Sequence, residues 1–526
     1  EHEYLLTLSS EKFLHEFYVV AGLEPPTAEG YGGWERSDAT NFRGHAFGHY
    51  MSALAQSYAS TRDATTKAAL SAEITAAIEG LAEVQAAYAT AHPESAGYVS
   101  AFRESALDRV EGTGPSDENV LVPWYILHKV LAGLLDVAEY VDGAVGDEAF
   151  SIATAFGVYV YGRVSVLDDV STLLRTEYGG MNEALYELYD LTGDPRFETA
   201  AQAFDEVDFF RSLAAGDDVL SGRHANTTIP KLIGALKRYT VMTQNEEYYA
   251  ALTQEEKDEL PMYLAAAENF FQIVVDHHTY VTGSNSHSEH FHGPDTLYAR
   301  AAVQGDHAQT SETCNEYNML KLSRELFRLT KDVKYADYYE NTFINTILSS
   351  QNPDTGMTTY FQPMAPGYFK VYAMPFTEFW CCWGTGIENF SKLGDSMYFT
   401  DRGSVYVNMF FSSTFDYGAQ NLRLSQEANM PNDDTVRFTV EAIDGADVAA
   451  ETTLRLRVPD WIAGEPALTV NGESVVPEIS RGYLLVPDVA AGDVIEYTMP
   501  MEVVAYDTAD NANFVAFKYG PVVLST

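Results

Sequence analysis

Two short segments hold every cysteine of the chain: Thr310-Ser-Glu-Thr-Cys-Asn-Glu-Tyr-Asn-Met-Leu320 and Phe379-Trp-Cys-Cys-Trp-Gly-Thr-Gly-Ile-Glu-Asn389. Thiolate sulfur is the soft donor that zinc prefers, and zinc takes four ligands from Cys, His and carboxylate, so Cys314, Cys381 and Cys382 with Glu312 form a chemically reasonable set for Zn2+. Residues i and i+2 of a helix diverge by about 200°, so Glu312 and Cys314 reach one ion only from an irregular turn before Asn315. The adjacent Cys381 and Cys382 need an irregular backbone as well, for which Gly384 and Gly386 are the expected source of freedom. Three thiols buried apart would give the same counts, and a closed zinc staple would give the same spacing as a site in which one thiolate reacts. Three is also an odd number in a long chain, a poor match to a disulfide framework.

A second cluster precedes the first cysteine, Thr282-Gly-Ser-Asn-Ser-His-Ser-Glu-His-Phe-His-Gly-Pro-Asp295. Gly283, Gly293 and Pro294 mark it as loop, and Glu289 among His287, His290 and His292 is a candidate acid/base, although the pattern taken alone reads better as a second metal site or plain polar loop residues. Further cleft candidates, as residues that contact a substrate, are His45 and its neighbour His49, His128, Asn182, Glu183 and His224. Each of these taken alone also reads as a satisfied helix residue.

The elements that must position these groups change along the chain. Up to about residue 400 the pattern is amphipathic helix, as in Leu127-His-Lys-Val-Leu-Ala-Gly-Leu-Leu-Asp136, with apolar residues at three- and four-residue steps. A turn signature recurs at Thr192-Gly-Asp-Pro-Arg-Phe197, Thr243-Gln-Asn-Glu-Glu-Tyr248 and Thr330-Lys-Asp-Val-Lys-Tyr335, with an echo at Thr61-Arg-Asp63. In each, the Asp or Asn is expected to cap the next helix while the aromatic three residues on packs inward. Repeated hairpins of this kind predict an α/α toroid over residues 1–400. From 401 to 526 short alternating runs such as Val436-Arg-Phe-Thr-Val-Glu441, separated by Gly, Asn, Asp and Pro turns, predict an antiparallel β-sandwich.

Charge excludes some partners. With 32 Lys and Arg against 76 Asp and Glu the net charge is −44, which argues against nucleic acid and anionic lipid. No run approaches the roughly 20 apolar residues that span a bilayer, and no charged segment followed by an apolar one opens the chain, so it reads as soluble.

Taken in order, Tyr31-Gly-Gly-Trp-Glu35, Arg43-Gly-His-Ala-Phe-Gly-His-Tyr50, Leu127-His-Lys129, Gly179-Gly-Met-Asn-Glu183, Ile229-Pro-Lys231, Ser288-Glu-His-Phe291, Glu312-Thr-Cys-Asn315 and Trp380-Cys-Cys382 resemble the β-L-arabinofuranosidases of glycoside hydrolase family 146 and its sister family 127. The resemblance implies an (α/α)6 barrel followed by β-sandwich modules, and zinc held by Glu312, Cys314, Cys381 and Cys382. It also implies Cys381 as nucleophile, Glu289 as acid/base, and a carbohydrate substrate from which L-arabinose is released with retention at non-reducing terminal β-L-arabinofuranosides. Two other readings accompany it: a hydrolase of another furanoside with a purely structural zinc, and an arabinan-binding protein without turnover. The stretch between Glu289 and Glu312, with Asp295 and Arg300 inside it, looks longer than in the sister family, so residues shaping the entrance are not carried over.

Overall fold

Four side chains of the turn signature do what their type dictates: Asp63, Asp194, Asn245 and Asp332 each accept a backbone N–H from the first turn of the helix that follows. Phe197 and Tyr335 are buried behind their caps, whereas Tyr248 stays half-buried and stacks on Tyr189 with ring centroids 4.5 Å apart. Its helix is a short extra turn, Glu246–Ala251, and the next long helix starts only at Gln254 behind a capping box formed by Thr253 and Glu256. The computed structural model describes residues 1–36, 41–443, 445 and 447–525.

Among the described residues twelve helices build the barrel: α1 (Ser10–Ala21), α2 (His45–Ser60), α3 (Ala64–Ala91), α4 (Pro123–Tyr140), α5 (Ala144–Val164), α6 (Met181–Thr192), α7 (Pro195–Gln202), α8 (Ala225–Gln244), α9 (Gln254–His277), α10 (Thr313–Thr330), α11 (Val333–Thr342) and α12 (Cys381–Ser391). The even-numbered helices touch in the closed cycle α2, α4, α6, α8, α10, α12 and back to α2, and the odd-numbered ones lie outside them. Because an outer helix returns the chain between successive inner ones, all six inner helices run the same way. Their N-termini therefore share one end of the barrel.

Inner helices cross closely where glycine allows it. A Cβ on Gly48 of α2 would run into the backbone carbonyl of Lys129 on α4, and one on Gly133 would lie 2.6 Å from the Gly48 carbonyl oxygen. Since the obstacle is backbone, Gly48→Ala is expected to lower unfolding stability by about 3 kcal/mol, the upper end of overpacking costs. Denaturant midpoints of variant and parent measure this, and a loss below about 0.5 kcal/mol, the scale of a neutral surface change, would contradict so tight a crossing.

After α12 the chain becomes strands. One sheet has the order β1 (Tyr398–Asp401), β2 (Ser404–Val407), β6 (Thr453–Arg457), β10 (Tyr483–Val486), β9 (Glu478–Ser480). The other runs β3 (Ser413–Tyr417), β4 (Leu422–Glu427), β5 (Thr435–Ala442), β11 (Val494–Thr498), β7 (Ala467–Val470), β8 (Glu473–Val475). Alternate residues of both, among them Leu424, Phe438, Leu454, Leu484 and Ile495, close a shared core, so the segment is a sandwich. One pair departs from the expected antiparallel order: β2 and β6 are parallel, because the three strands between them belong to the opposite sheet. A further three-stranded sheet, β12 (Val503–Thr508), β13 (Asn511–Tyr519) and β14 (Val522–Leu524), leans back on the barrel through Asn345, whose side chain bonds Pro521 O and Val523 N at 2.9 and 2.8 Å.

Barrel and sandwich are joined by a buried cation. Arg457 at the end of β6 donates to Asn408 O at 2.8 Å and pairs with Asp337 and Glu340 of α11, while the Trp461 indole donates to Glu340 at 2.8 Å. Burial raises Asp337 to about 6 against the pull of Arg457. Arg457→Ala would strand two carboxylates in the interface and is expected to cost about 3–5 kcal/mol. Thermal unfolding reads the effect; adding Asp337→Asn and Glu340→Gln should recover part of it, and no recovery would mean that the cation acts through packing alone.

Candidate active site

The convergence of six helix N-termini sets the chemistry of one barrel end, since unsatisfied N–H groups and aligned peptide dipoles there favour negative charge. Glu312 is the N-cap of α10 in extended conformation and Cys314 is two residues into the helix, which is how positions two apart come to face one point. Cys381 and Cys382 are the first two residues of α12, entered through an extended Trp380 and through Phe379 at φ 54°. Gly384 and Gly386 have a different task from the one expected of them. Both lie within regular helix, and a Cβ on either would collide with the His49 ring or with Thr358. Their bareness lets α12 approach its neighbours.

The four donor atoms of Glu312, Cys314, Cys381 and Cys382 lie within 4.8 Å of one another, and all four residues are buried. The Cys314 and Cys382 sulfurs are 3.1 Å apart without a disulfide, those of Cys381 and Cys382 4.0 Å, and Glu312 Oε1 is 3.8 and 3.9 Å from Cys381 and Cys382. Donors on a tetrahedral zinc with Zn–S bonds of about 2.3 Å stand roughly 3.8 Å apart. The donor set fits that ion, and the 3.8, 3.9 and 4.0 Å spacings fall near that figure, while the Cys314 and Cys382 sulfurs at 3.1 Å stand closer. Glu312 Oε2 is buried with no protein partner, a lone pair set aside in a place where proteins rarely leave one.

Cys381 differs from the other two cysteines. It keeps 6% exposure against 0% and 1% for Cys314 and Cys382, so it alone borders the opening. Its sulfur lies 3.4 Å from the Tyr360 hydroxyl, and that hydroxyl also donates to Glu289 Oε1. Burial pushes all three thiols up, but for Cys381 its contacts with Cys314, Cys382 and the Tyr360 hydroxyl, with His45 nearby, outweigh it and hold the group well below the ordinary thiol range. Cys314 and Cys382 stay well above that range.

Glu289 sits in a loop whose backbone is forced left-handed at Ser286, Ser288 and Glu289, with φ of 77°, 47° and 66°. Ladder-like bonds to the segment before α8 hold it, including Ala225 N to Glu289 O at 2.7 Å and Phe291 N to Arg223 O at 2.9 Å. Such strain persists only where surroundings impose it, and it aims the carboxylate at the opening. The three loop histidines bind carbonyl oxygens instead of gathering: His287 Nε2 to Asp306 O, His290 Nδ1 to Ser288 O and His292 Nε2 to His287 O, at 3.1, 2.6 and 2.9 Å.

Of the remaining candidates, His224 stands at the N-cap position of α8, with Nε2 3.8 Å from Glu289 Oε2. His45, the first residue of α2, is fully buried, with Nδ1 2.8 Å from Phe42 O and Nε2 unpartnered. His128 accepts the Gly180 N–H at 3.2 Å, and burial keeps its imidazole neutral, far below its ordinary value. Asn182 and Glu183 are not brought to the cysteines: Asn182 is fully buried and bonds Asp205 at 3.0 Å, and Glu183 pairs with Lys321 at 3.1 Å. Tyr360 was not singled out by the sequence reading, nor was Glu35, which accepts from Gly44 N and Ala46 N at 2.7 and 2.9 Å and so braces the start of α2.

A cavity of about 1120 Å³ opens at the other end of the barrel axis, between the C-termini of the inner helices. Its inner wall is a buried layer in which His49 and Tyr317 both bond Glu388. Size alone favours that end. The thiols, the strained carboxylate and the helix N-termini are all at the opposite one, which is where chemistry is assigned.

A closed helical toroid with an acid and a nucleophile candidate at the N-terminal mouth, followed by a β-sandwich, defines a class of carbohydrate-active barrel proteins. The family model of the β-L-arabinofuranosidase GH127 catalytic domain matches residues 1–395, and that of the GH127 middle domain matches residues 404–501. The chain belongs to glycoside hydrolase family 127. A non-reducing end β-L-arabinofuranosidase of Bifidobacterium longum subsp. longum is 25% identical over 283 residues, 49% of this chain and 41% of that protein, so less than half of that relative's length is matched. The fold resembles a GH127 β-L-arabinofuranosidase from Geobacillus stearothermophilus T6 with TM-score 0.69 at 18% identity, covering 98% of this chain and 80% of that one. A further GH127 β-arabinofuranosidase gives TM-score 0.68 at 17% identity, covering 97% and 78%. No helix among the described residues is long and apolar enough to cross a membrane.

Proposed function

We propose that the chain is a retaining exo-β-L-arabinofuranosidase in which Cys381 is the nucleophile and Glu289 the acid/base. The observation that carries this reading is the Tyr360 hydroxyl, which touches Cys381 Sγ at 3.4 Å and hydrogen-bonds Glu289, so that sulfur and carboxylate face one opening. In the first step the Cys381 sulfur attacks the anomeric carbon, the glycosidic C–O bond breaks, and Glu289 gives its proton to the departing oxygen. A thioglycosyl-enzyme and a free alcohol result. Glu289, now a carboxylate, takes a proton from water, whose oxygen forms the new bond to the anomeric carbon while the C–S bond breaks and the electron pair returns to sulfur. Two inversions give retention, with sulfur in place of the second carboxylate of most retaining glycosidases.

Zinc held by Glu312, Cys314, Cys381 and Cys382 would keep sulfur in its thiolate form and accept its charge on release. Tyr360 orients the proton donor against the nucleophile, and His224 lines the same mouth, where it is proposed to meet the sugar, while fully buried His45 stands near Cys381.

Proton NMR of a freshly mixed aryl β-L-arabinofuranoside tests the stereochemistry. The β anomer of L-arabinose should appear first and mutarotate later; first appearance of the α anomer would sink the double-displacement reading. Dialysis against a strong chelator should remove activity and zinc together, and added Zn2+ should restore both. Full activity in metal-free protein would refute the zinc assignment.

A further inference from the structure

Beside the cysteine centre a second group of donors converges: the ligand atoms of His224, Glu289 and Glu312 also lie within 4.8 Å of one another. Glu312 belongs to both sets. Its Oε1 faces the Cys381 and Cys382 sulfurs, and its Oε2 is fully buried and unpartnered. The His224 Nε2 to Glu289 Oε2 distance of 3.8 Å is close to the roughly 3.4 Å between donors that share an ion at bonds of about 2.1 Å. His224 Nδ1 faces Glu177 Oε1 at 3.9 Å, the kind of outer carboxylate that fixes the orientation of a metal-bound imidazole.

We propose that His224, Glu289 and Glu312 form a second, weaker divalent-cation site, bridged to the first by the Glu312 carboxylate, and that an ion bound there inhibits the enzyme. One imidazole and two carboxylates suit borderline cations such as Zn2+, and carboxylate-bridged pairs stand about 3.5–4 Å apart. The site is weaker because it offers three protein donors and no thiolate, and because the side chains of His224 and Glu289 keep 22% and 35% exposure. A cation there occupies the lone pair with which Glu289 accepts and returns a proton, and it stands where the leaving oxygen must come. Zinc would thus be required at one equivalent and inhibitory above it. The inhibitory half rests on the acid/base role of Glu289; the binding half does not.

The test uses the full chain holding one equivalent of zinc. Equilibrium dialysis against rising Zn2+ with metal analysis reads binding, and the rate on an aryl β-L-arabinofuranoside reads inhibition. A second, weaker equivalent is expected, with rate loss that follows its occupancy and is relieved by substrate. In a parallel cobalt titration the first equivalent brings sulfur-to-cobalt charge-transfer absorption and the second adds none. His224→Ala should leave the first equivalent and its cobalt spectrum in place, weaken the second by at least about 10-fold, and shift inhibition, relative to the variant's own rate, by the same factor. Binding of one equivalent only up to millimolar zinc would overturn the proposal, as would a second equivalent indifferent to His224→Ala. A His224-dependent second ion that left the rate untouched would keep the site, discard inhibition, and count against Glu289 as acid/base.

Discussion

Cys381→Ser is expected to lower turnover by on the order of 10⁴-fold or more while the protein stays folded and still takes up zinc. Loss of a nucleophile that acts as part of a unit removes nearly the whole advantage of the covalent route, leaving only what binding and electrostatics supply. A hydroxyl at this position does not become an anion under conditions where a thiolate does. Glu312, Cys314 and Cys382 remain to hold the ion, so metal content measured on the same sample separates lost chemistry from lost metal. Cys382→Ser is the contrast: its residue is 1% exposed and its sulfur lies 3.1 Å from Cys314 and 3.9 Å from Glu312 Oε1, so its damage should run through metal affinity and be relieved in part at saturating zinc. If the two variants lost activity equally at full zinc occupancy, the distinction drawn between the adjacent cysteines would fail.

Glu289→Gln carries the second large effect, a fall of about 10² to 10⁴-fold on arabinosides with sugar leaving groups, the usual scale of general acid catalysis. The variant keeps the shape and the hydrogen bond from Tyr360 but has no proton to give. A 4-nitrophenolate departs without one. The first step on that substrate should therefore be far less impaired, and the thioglycosyl-enzyme should accumulate because water lacks its base. Equal losses on both leaving groups would point to a binding role for Glu289.

How much of this was legible beforehand follows from how local each signal is. The caps at Asp63, Asp194, Asn245 and Asp332 act within three residues, so a short window reveals them. The same holds for apolar periodicity, which foretold helices and then strands. The pairing of Glu312 with Cys314 was readable as a demand for an irregular turn, and the N-cap of α10 meets it. Tyr360 was out of reach: it is one of 34 tyrosines, in an aperiodic stretch, and acquires meaning only when the isolated bridge between Glu312 and Phe361 carries it against residues 71 positions earlier. Gly384 failed for a related reason. Glycine in sequence reads as backbone freedom, whereas here its missing side chain makes room for a ring from a helix more than 300 residues away. Asn182 and Glu183, a polar pair after two glycines, look like cleft residues in sequence; their α6 positions turn Asn182 into the core against Asp205 and Glu183 toward Lys321 in the wall of the cavity at the other barrel end.

In the proposed route the Cys381 sulfur carries the sugar between the two steps. Glu289→Gln incubated with the 4-nitrophenyl β-L-arabinofuranoside, quenched in acid and digested, allows fragment-ion mass spectrometry across Trp380-Cys381-Cys382-Trp383 to locate the bound pentosyl group. One anhydropentosyl unit on Cys381 is expected. A unit on Cys382 or on a carboxylate, or an unlabelled peptide from enzyme that is turning over, would contradict it.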